Sequence, residues 1–418
     1  MPDFGGSRVL SSEANSLLRH VLDDWNPQYG LGNMDNGVYH TAWISLILKA
    51  DQWVFPECFD FLINTQRKDG SWGNPASEVD QICDGLVSLL SIKRHLKGPV
   101  SYSKKQEADL KDRSDRASQF IQTTFSKWNI QSYDITLPIG FEMWFPTVLD
   151  LLKEEGMEFT VPQMDWILKI RTAKLAKFSN EDLFSGSHSS ALYSLEAFIG
   201  KADFSRLGQW KELKMVASCP SATAAYLIEA PQWDEDAELY LRHVVRSTIS
   251  NNRAVPEMFP STFFEFSWVV STLLHSFSKK ELDHTLLQSL QDKFVGWFEE
   301  YEGLVGSGES VPPEPDSTAK MLTALHLLGT SHSPANMIKC WEGPHHFVTY
   351  AGERNASCST NAHILIALIH LSKDNEYSQF IEKCVRFLCK SWWDTDGILY
   401  DKWVSEANVY EFIGKEPY

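Results

Sequence analysis

An all-α fold is predicted from three features of the 418-residue chain. Apolar residues recur at three-to-four spacing along nearly the whole length, the pattern of helices with one buried face. Convincing period-two alternation is rare, so strands have little to build on. One helix–turn outline occurs twice, and such units stack because none buries its apolar face alone.

In chain order, the helical stretches are "HTAWISLILKA" (40–50), "CDGLVSLLSIKRHL" (83–96), "FPTVLDLLKEEG" (145–156) and "AELYLRHVVRSTI" (237–249). They continue with "FFEFSWVVSTLLHSF" (263–277), "TAKMLTALHLLG" (318–329), "NAHILIALIHLS" (361–372) and "FIEKCVRFLCKSW" (380–392). Between them lie Gly, Pro, Ser and Asn, as in "SGSHSS", "NNRAVPEMFPS" and "GSGESVPPEPDS", which are turn and breaker compositions. The repeated outline is "FDFLINTQRKDGSWG" (59–73) and "VRFLCKSWWDTDGILYDKW" (385–403). Each runs from a helix end through an Asp-Gly turn (Asp69-Gly70, Asp396-Gly397) to a Trp (Trp72, Trp403). Two such regions point to two helical barrels or solenoids.

Composition narrows the function classes. The formal charge of −17 argues against nucleic acid or an anionic membrane as partner. With 15 Trp, 24 Phe and 13 Tyr, the chain has rings enough for bulky cores or a ring-lined apolar pocket. Seven scattered cysteines without a CxxC pair read as reduced thiols, so a cytoplasmic location is expected. "MPDFGGSRVLSSEAN" lacks a signal pattern, and the longest apolar run, "ILIALI", is too short for a membrane span. Histidine pairs (His345/His346, His363/His370) do not make a zinc site: seven residues on a helix separate the second pair by about 10 Å of rise.

"QRKDGSWG" resembles the Gln-Trp turn repeats of terpene cyclases. Further stretches resemble, in order, segments of the class II diterpene cyclases of the copalyl diphosphate synthase type. "VYHTAWISLI" (38–47) is similar to S-x-Y-D-T-A-W and "LPIGFEMWFPTVLDLL" (137–152) to P-x-GFE-x-x-FP. "VPEMFPSTFFEFSWVVSTLL" (255–274) is similar to P-x-x-YP-x-x-LFE-x-x-W, and "EPDSTAKMLTALHLLG" (314–329) to DxDDTA-x-x-x-x-LL-x-x-G. "GILYDKW" (397–403) resembles a late D-K-W. The resemblance implies a γβ pair of α/α-barrels around a substrate cavity. Residues 1–36 would be a helix of the β barrel, 37–243 the γ barrel and 244–418 a β barrel shortened at its end. No α domain and no class I DDxxD motif is expected.

The implied activity is protonation-initiated cyclisation of a polyprenyl diphosphate, geranylgeranyl diphosphate above all, to a copalyl-type diphosphate. An alkene is a very poor base, so the acid must be neutral, dry and aimed. Asp316 stands at the central, acidic position of DxDD; Glu314 and Ser317 replace its first and third Asp. The local sequence also fits Asp316 or Ser317 as an ordinary helix cap, and both readings stand at this point. Where plant enzymes of the family carry a base His and its Asn partner, this chain has Tyr193 and Glu257, and Gly306 replaces a Trp. Trp268 matches the Trp of LFE-x-x-W and would shelter a cation. Lys174, Lys177 and Lys402 are the implied diphosphate contacts, with surface lysines as the plain alternative. Mg2+ is implied by the diphosphate, and only Asp134 represents the family's acidic cluster. A prenyltransferase or class I synthase is the implied protein partner. The altered motif leaves two alternatives: a cyclase fold recruited to isomerisation, rearrangement or pericyclic closure of an apolar terpenoid, or an isoprenoid-binding scaffold without catalysis.

Overall fold

The computed structural model describes residues 4–75, 77–129, 140–176, 183–184, 190–207, 214–249, 253–350, 353 and 355–394. Two compact units emerge: Asn33–Phe259, and Met1–Gly32 joined with Pro260–Tyr418. The first helix therefore belongs with the C-terminal half. Both divisions differ from the expected 36/37 and 243/244, for physical reasons. Position 243/244 falls inside one unbroken helix, Glu235–Thr248. Beyond it, Pro256–Met258 pairs antiparallel with Met34–Asn36, holding residues up to 259 in the Asn33–Phe259 unit.

Along the chain, α1 is Phe4–Asp23, β1 Met34–Asn36, α2 Val38–Ser45, β2 Leu48–Lys49, β3 Gln52–Trp53 and α3 Pro56–Thr65. Then come α4 Glu78–Lys97, α5 Lys104–Lys127, α6 Phe141–Glu154, α7 Met164–Leu175, a 3-10 helix at Ser190–Phe198, α8 Pro220–Glu229 and α9 Glu235–Thr248. The last are β4 Pro256–Met258, α10 Thr262–Ser276, α11 His284–Glu300, α12 Pro315–Leu328, α13 Ala335–Trp341, α14 Cys358–Leu371 and α15 Ser378–Asp394.

In the Asn33–Phe259 unit, α4 is buried along most of its length. Its ends are specified locally: Ser77 accepts the Asp80 N–H, Glu78 and Asp80 fill the first turn, and Arg94, His95 and Lys97 the last. α5 begins with a Ser103–Gln106 capping box. It carries Glu107–Lys111, Asp109–Arg113 and Asp112–Arg116 pairs on its outer side.

The Gln-Trp turn explains why its residues recur. Trp72, 1% exposed, gives its indole N–H to the Leu62 carbonyl at the end of α3, 2.8 Å away. Gln66 reaches the Gly70 carbonyl and the Arg113 carbonyl of α5, each at 3.1 Å. Gly70 has φ +92°, and a Cβ there would lie 2.4 Å from the Arg116 backbone; glycine alone permits that approach. The turn thus ties α3 to α5 by satisfying terminal carbonyls. The second copy of the outline continues past Asp394, outside the described residues.

In the other unit, α12 is central, packed on α10 and α14. Ala319, Met321, Leu322, Ala324 and Leu325 are at most 1% exposed, worth roughly 2 kcal/mol for each large side chain. Phe263, Phe266 and Phe294 fill the space towards α11. α12 ends at Gly329, whose left-handed φ of 107° lets its N–H and that of Thr330 return to the Leu325 carbonyl. Its N-terminus, held on both sides, carries the acidic motif.

Candidate active site

Pro315 lacks an N–H, and the first helical position does not need one. That makes Glu314 the N-cap of α12, with extended φ and ψ of −146° and 157°. Its carboxyl accepts the N–H groups of Asp316 at 2.5 Å and Ser317 at 2.8 Å. Of the two readings, capping by Asp316 or Ser317 does not hold: Glu314 occupies the cap and leaves the Asp316 side chain free of that role. Glu314 is only 6% exposed. Burial, and after it the neighbouring Asp316, pushes its carboxyl up to about 8. Two carboxyls side by side at one helix start cannot both ionise cheaply. Ser317 is buried, its N–H spent on Glu314.

Asp316 meets a histidine the sequence did not single out for it. His363 Nδ1 lies 2.6 Å from Asp316 Oδ1, and both side chains are largely buried, 5% and 17% exposed. His363 sits on α14, which its Ser357 cap and apolar face pack against α12. A sequence signal existed, since His363 interrupts the apolar run of "NAHILIALIHL", but its partner is 47 residues away. Tyr350 is the third neighbour; burial, then Glu314 and Asp316, push its hydroxyl well above the usual range.

Trp268, on α10, meets the His363 ring edge-on at 5.3 Å and 86°. Phe264 stacks on it at 4.0 Å, and the Lys320 ammonium stands over it, 5.0 Å from its centre. Trp268, the ring expected to shelter a substrate cation, thus meets His363 at its edge and carries the Lys320 ammonium over its ring. Phe263 and Phe266 are core, as their 0% exposure shows.

A second polar group lies in the Asn33–Phe259 unit. The structure brings Tyr193 and Glu257 together: the tyrosine hydroxyl donates to Glu257 Oε1 at 3.2 Å. Tyr193 comes from the 3-10 helix and Glu257 from β4, whose pairing with β1 fixes its height. Burial, then the Glu257 carboxylate, push the Tyr193 hydroxyl well up. Glu196, three residues on and not singled out by sequence, is 3% exposed. Its Oε1 accepts the Tyr39 hydroxyl at 2.7 Å and the Ser221 hydroxyl at 3.4 Å. Its signal was a carboxylate flanked by Leu195 and Ala197 in an otherwise apolar stretch.

These placements, on two helical units with an acidic helix start in one, can be set beside known proteins. The computed fold superposes on the ent-copalyl diphosphate synthase from Streptomyces platensis with a TM-score of 0.71, over 97% of this chain and 80% of that one, at 23% identity. The chain has the class II terpene cyclase fold. By sequence the chain is similar to phyllocladan-16-alpha-ol synthase of Phomopsis amygdali, 40% identical over 98% of this chain and 41% of the relative. Copalyl diphosphate synthase of Talaromyces verruculosus is 37% identical over 94% of this chain and 41% of that protein. The chain thus spans about two-fifths of the length of these curated relatives. No family model matches it.

Against the expectations drawn from class II cyclases, the cationic residues divide. Lys174, on α7, forms an ion pair with Glu142 of "GFE". Lys177, Lys402 and Asp134 lie outside the described residues. Among the described residues no group of three or more His, Cys, Asp or Glu is placed to hold a metal ion. Those residues therefore do not by themselves fit a magnesium site. No helix among them is long and apolar enough to cross a membrane.

Proposed function

We propose that this chain is a class II diterpene cyclase that protonates geranylgeranyl diphosphate and closes it to a copalyl-type diphosphate, with EPDS as an altered DxDD. The Asp316–His363 contact at 2.6 Å carries the reading. In the step proposed, the Asp316 O–H bond breaks and the terminal alkene's π electrons form a C–H bond. The distal alkene carbon becomes cationic and is captured by the next double bond. The carboxylate left on Asp316 is stabilised by the His363 N–H and by the N-terminus of α12. Glu314, kept neutral by burial, adds no like charge beside the donor.

A proton acceptor must end the cascade, and Tyr193, hydrogen-bonded to Glu257 Oε1 at 3.2 Å, is the acceptor proposed from the resemblance. Lys174, Lys177 and Lys402 remain the proposed diphosphate contacts, Lys174 by exchanging Glu142 for phosphate oxygens. Magnesium enters the proposal with the diphosphate. The similarity to a copalyl diphosphate synthase supports the substrate and product class. A prenyltransferase supplying the substrate, or a class I synthase consuming the product, is the proposed partner, in the cytoplasm.

The test is incubation of the protein with geranylgeranyl diphosphate and magnesium, dephosphorylation, and mass-spectrometric analysis. A cyclic diterpene alcohol that disappears in Asp316→Asn is expected. Turnover that survives Asp316→Asn would assign the fold to an isomerisation, rearrangement or pericyclic reaction instead. Binding without turnover would leave an isoprenoid scaffold.

A further inference from the structure

We propose that the Asn33–Phe259 unit holds a binding site for a phosphate-type oxyanion, built from Arg171 of α7, Thr147 of α6 and Lys201. The site lies within this unit alone and stands independently of the cyclase reading.

Its centre is a buried arginine that no carboxylate neutralises. Arg171 is 9% exposed, and its Nε, shielded from solvent, has no hydrogen-bond partner among the described residues. Its Nη2 donates to the Thr147 hydroxyl oxygen at 3.2 Å. The Lys201 ammonium donates to the same oxygen at 2.9 Å. The hydroxyl's own proton goes to the Ala197 carbonyl at 3.0 Å. Thr147 is 2% exposed; both lone pairs of its oxygen face cations, and its one proton is spent. Two positive charges thus converge on a neutral atom. Arginine keeps its charge when buried, and a buried charge is costly unless paired. Among the described residues no carboxylate forms an ion pair with Arg171. Asp150, exposed and about one turn along α6 from Thr147, is the carboxylate whose field reaches both cations. Glu142, buried at the start of the same helix, is taken by Lys174. Burial, then the neighbouring Arg171, lower the Lys201 ammonium, the sign of two like charges held together.

Separate elements fix the cluster. α6 and α7 pack on each other. Lys201 follows the 3-10 helix by way of Gly200, whose φ of +69° is left-handed, and its N–H returns to the Phe198 carbonyl at 2.9 Å. Lys201 is exposed, which puts the cluster within reach of a solute. A phosphate-type oxyanion suits this set. Nε and Nη2 share one edge of the guanidinium, the edge that takes two oxygens at once, and the lysine adds a point charge. With a formal charge of −17 the chain as a whole repels anions, so saturable binding of one requires a local pair of cations such as this. Free phosphate and the diphosphate end of a prenyl substrate offer the same chemistry.

The experiment is isothermal titration calorimetry of the full chain with inorganic phosphate at pH 7.5, chloride holding the ionic strength constant. One saturable site is expected in the unaltered chain. Binding is expected to be at least about tenfold weaker in Arg171→Met and in Lys201→Ala, and retained in Lys174→Ala. Lys201→Ala, at an exposed position, serves if Arg171→Met does not fold. Thermal unfolding gives a second readout: phosphate should raise the Tm of the unaltered chain and leave that of Lys201→Ala unmoved. Geranylgeranyl diphosphate added to the phosphate-loaded protein distinguishes the sources. Displacement assigns the site to the diphosphate end of that substrate, and retention assigns it to free phosphate. No saturable binding, unchanged binding in Arg171→Met and Lys201→Ala, or binding lost only in Lys174→Ala would overturn the inference, and none of these results bears on cyclisation.

Discussion

Replacing Glu314 by Gln is expected to change stability little in mild acid and to raise it near neutrality. In the folded chain burial holds the Glu314 proton up to about pH 8, against an ordinary value of 4.5. A carboxyl raised on folding contributes stability that is complete below its unfolded value and is lost as pH rises through the folded one. Between pH 5.5 and 7.5 that loss amounts to roughly 3 kcal/mol, at about 1.4 kcal/mol per pH unit. Gln has no such slope. It does give up one of the two N–H contacts at 2.5 and 2.8 Å, a pH-independent cost of about 1 kcal/mol. The parent has already lost about 1.4 kcal/mol by pH 5.5, so Glu314→Gln is expected to be about as stable as the parent there and more stable by about 3 kcal/mol at pH 7.5. Urea unfolding of both proteins at both pH values measures the difference. A difference that stays constant with pH would refute the reasoning, since Glu314 would then be ionised throughout and the neutral carboxyl beside Asp316 would be lost with it.

Other expectations follow from the same contacts. His363→Ala leaves the Asp316 carboxylate without its 2.6 Å donor and should slow cyclisation about 10- to 100-fold, the worth of a hydrogen bond to a charged group; steady-state kinetics on a folded variant check it, and an unchanged rate would remove His363 from the acid. His95, 1% exposed and stacked between Trp53 and Phe59, is lowered by burial to about 4. Its unfolded form takes up a proton below about 6.5 that the folded form refuses, so His95 costs roughly 2 kcal/mol at pH 5. His95→Phe should flatten that part of the stability profile, and an unflattened profile contradicts the burial argument. Gly70→Ala forces a Cβ to within 2.4 Å of the Arg116 backbone at φ +92°; a loss of more than about 2 kcal/mol is expected in thermal unfolding, and a neutral result would show that the turn does not tie α3 to α5.

The helical architecture was legible because burial writes itself into spacing: α4, α12 and α14 each show their apolar residues at helical intervals. The unit boundary was less so, since the ladder joining residues 34–36 to 256–258 crosses more than 200 positions and leaves no local pattern. At the acidic motif, the identity of the cap was readable from Pro315, yet Asp316 and Ser317 are the commoner capping residues and kept the cap reading open beside the acid. His363 was weighed only as half of a pair with His370, because the residue it meets lies 47 positions earlier. Tyr193 and Glu257, 64 positions apart, were paired through family resemblance, and their hydrogen bond gives that pairing a geometry. Lys174 shows the converse: a basic residue in the expected place whose carboxylate partner, Glu142, sequence reasoning did not foresee.

Reaction in deuterium oxide bears most directly on the role of Asp316. Equilibrated in heavy water, the acid carries deuterium, and cyclisation of geranylgeranyl diphosphate should place one deuterium on the former alkene carbon of the product. That label, together with loss of product in Asp316→Asn, is the expected result; a product free of deuterium at that carbon would contradict proton transfer as the opening step.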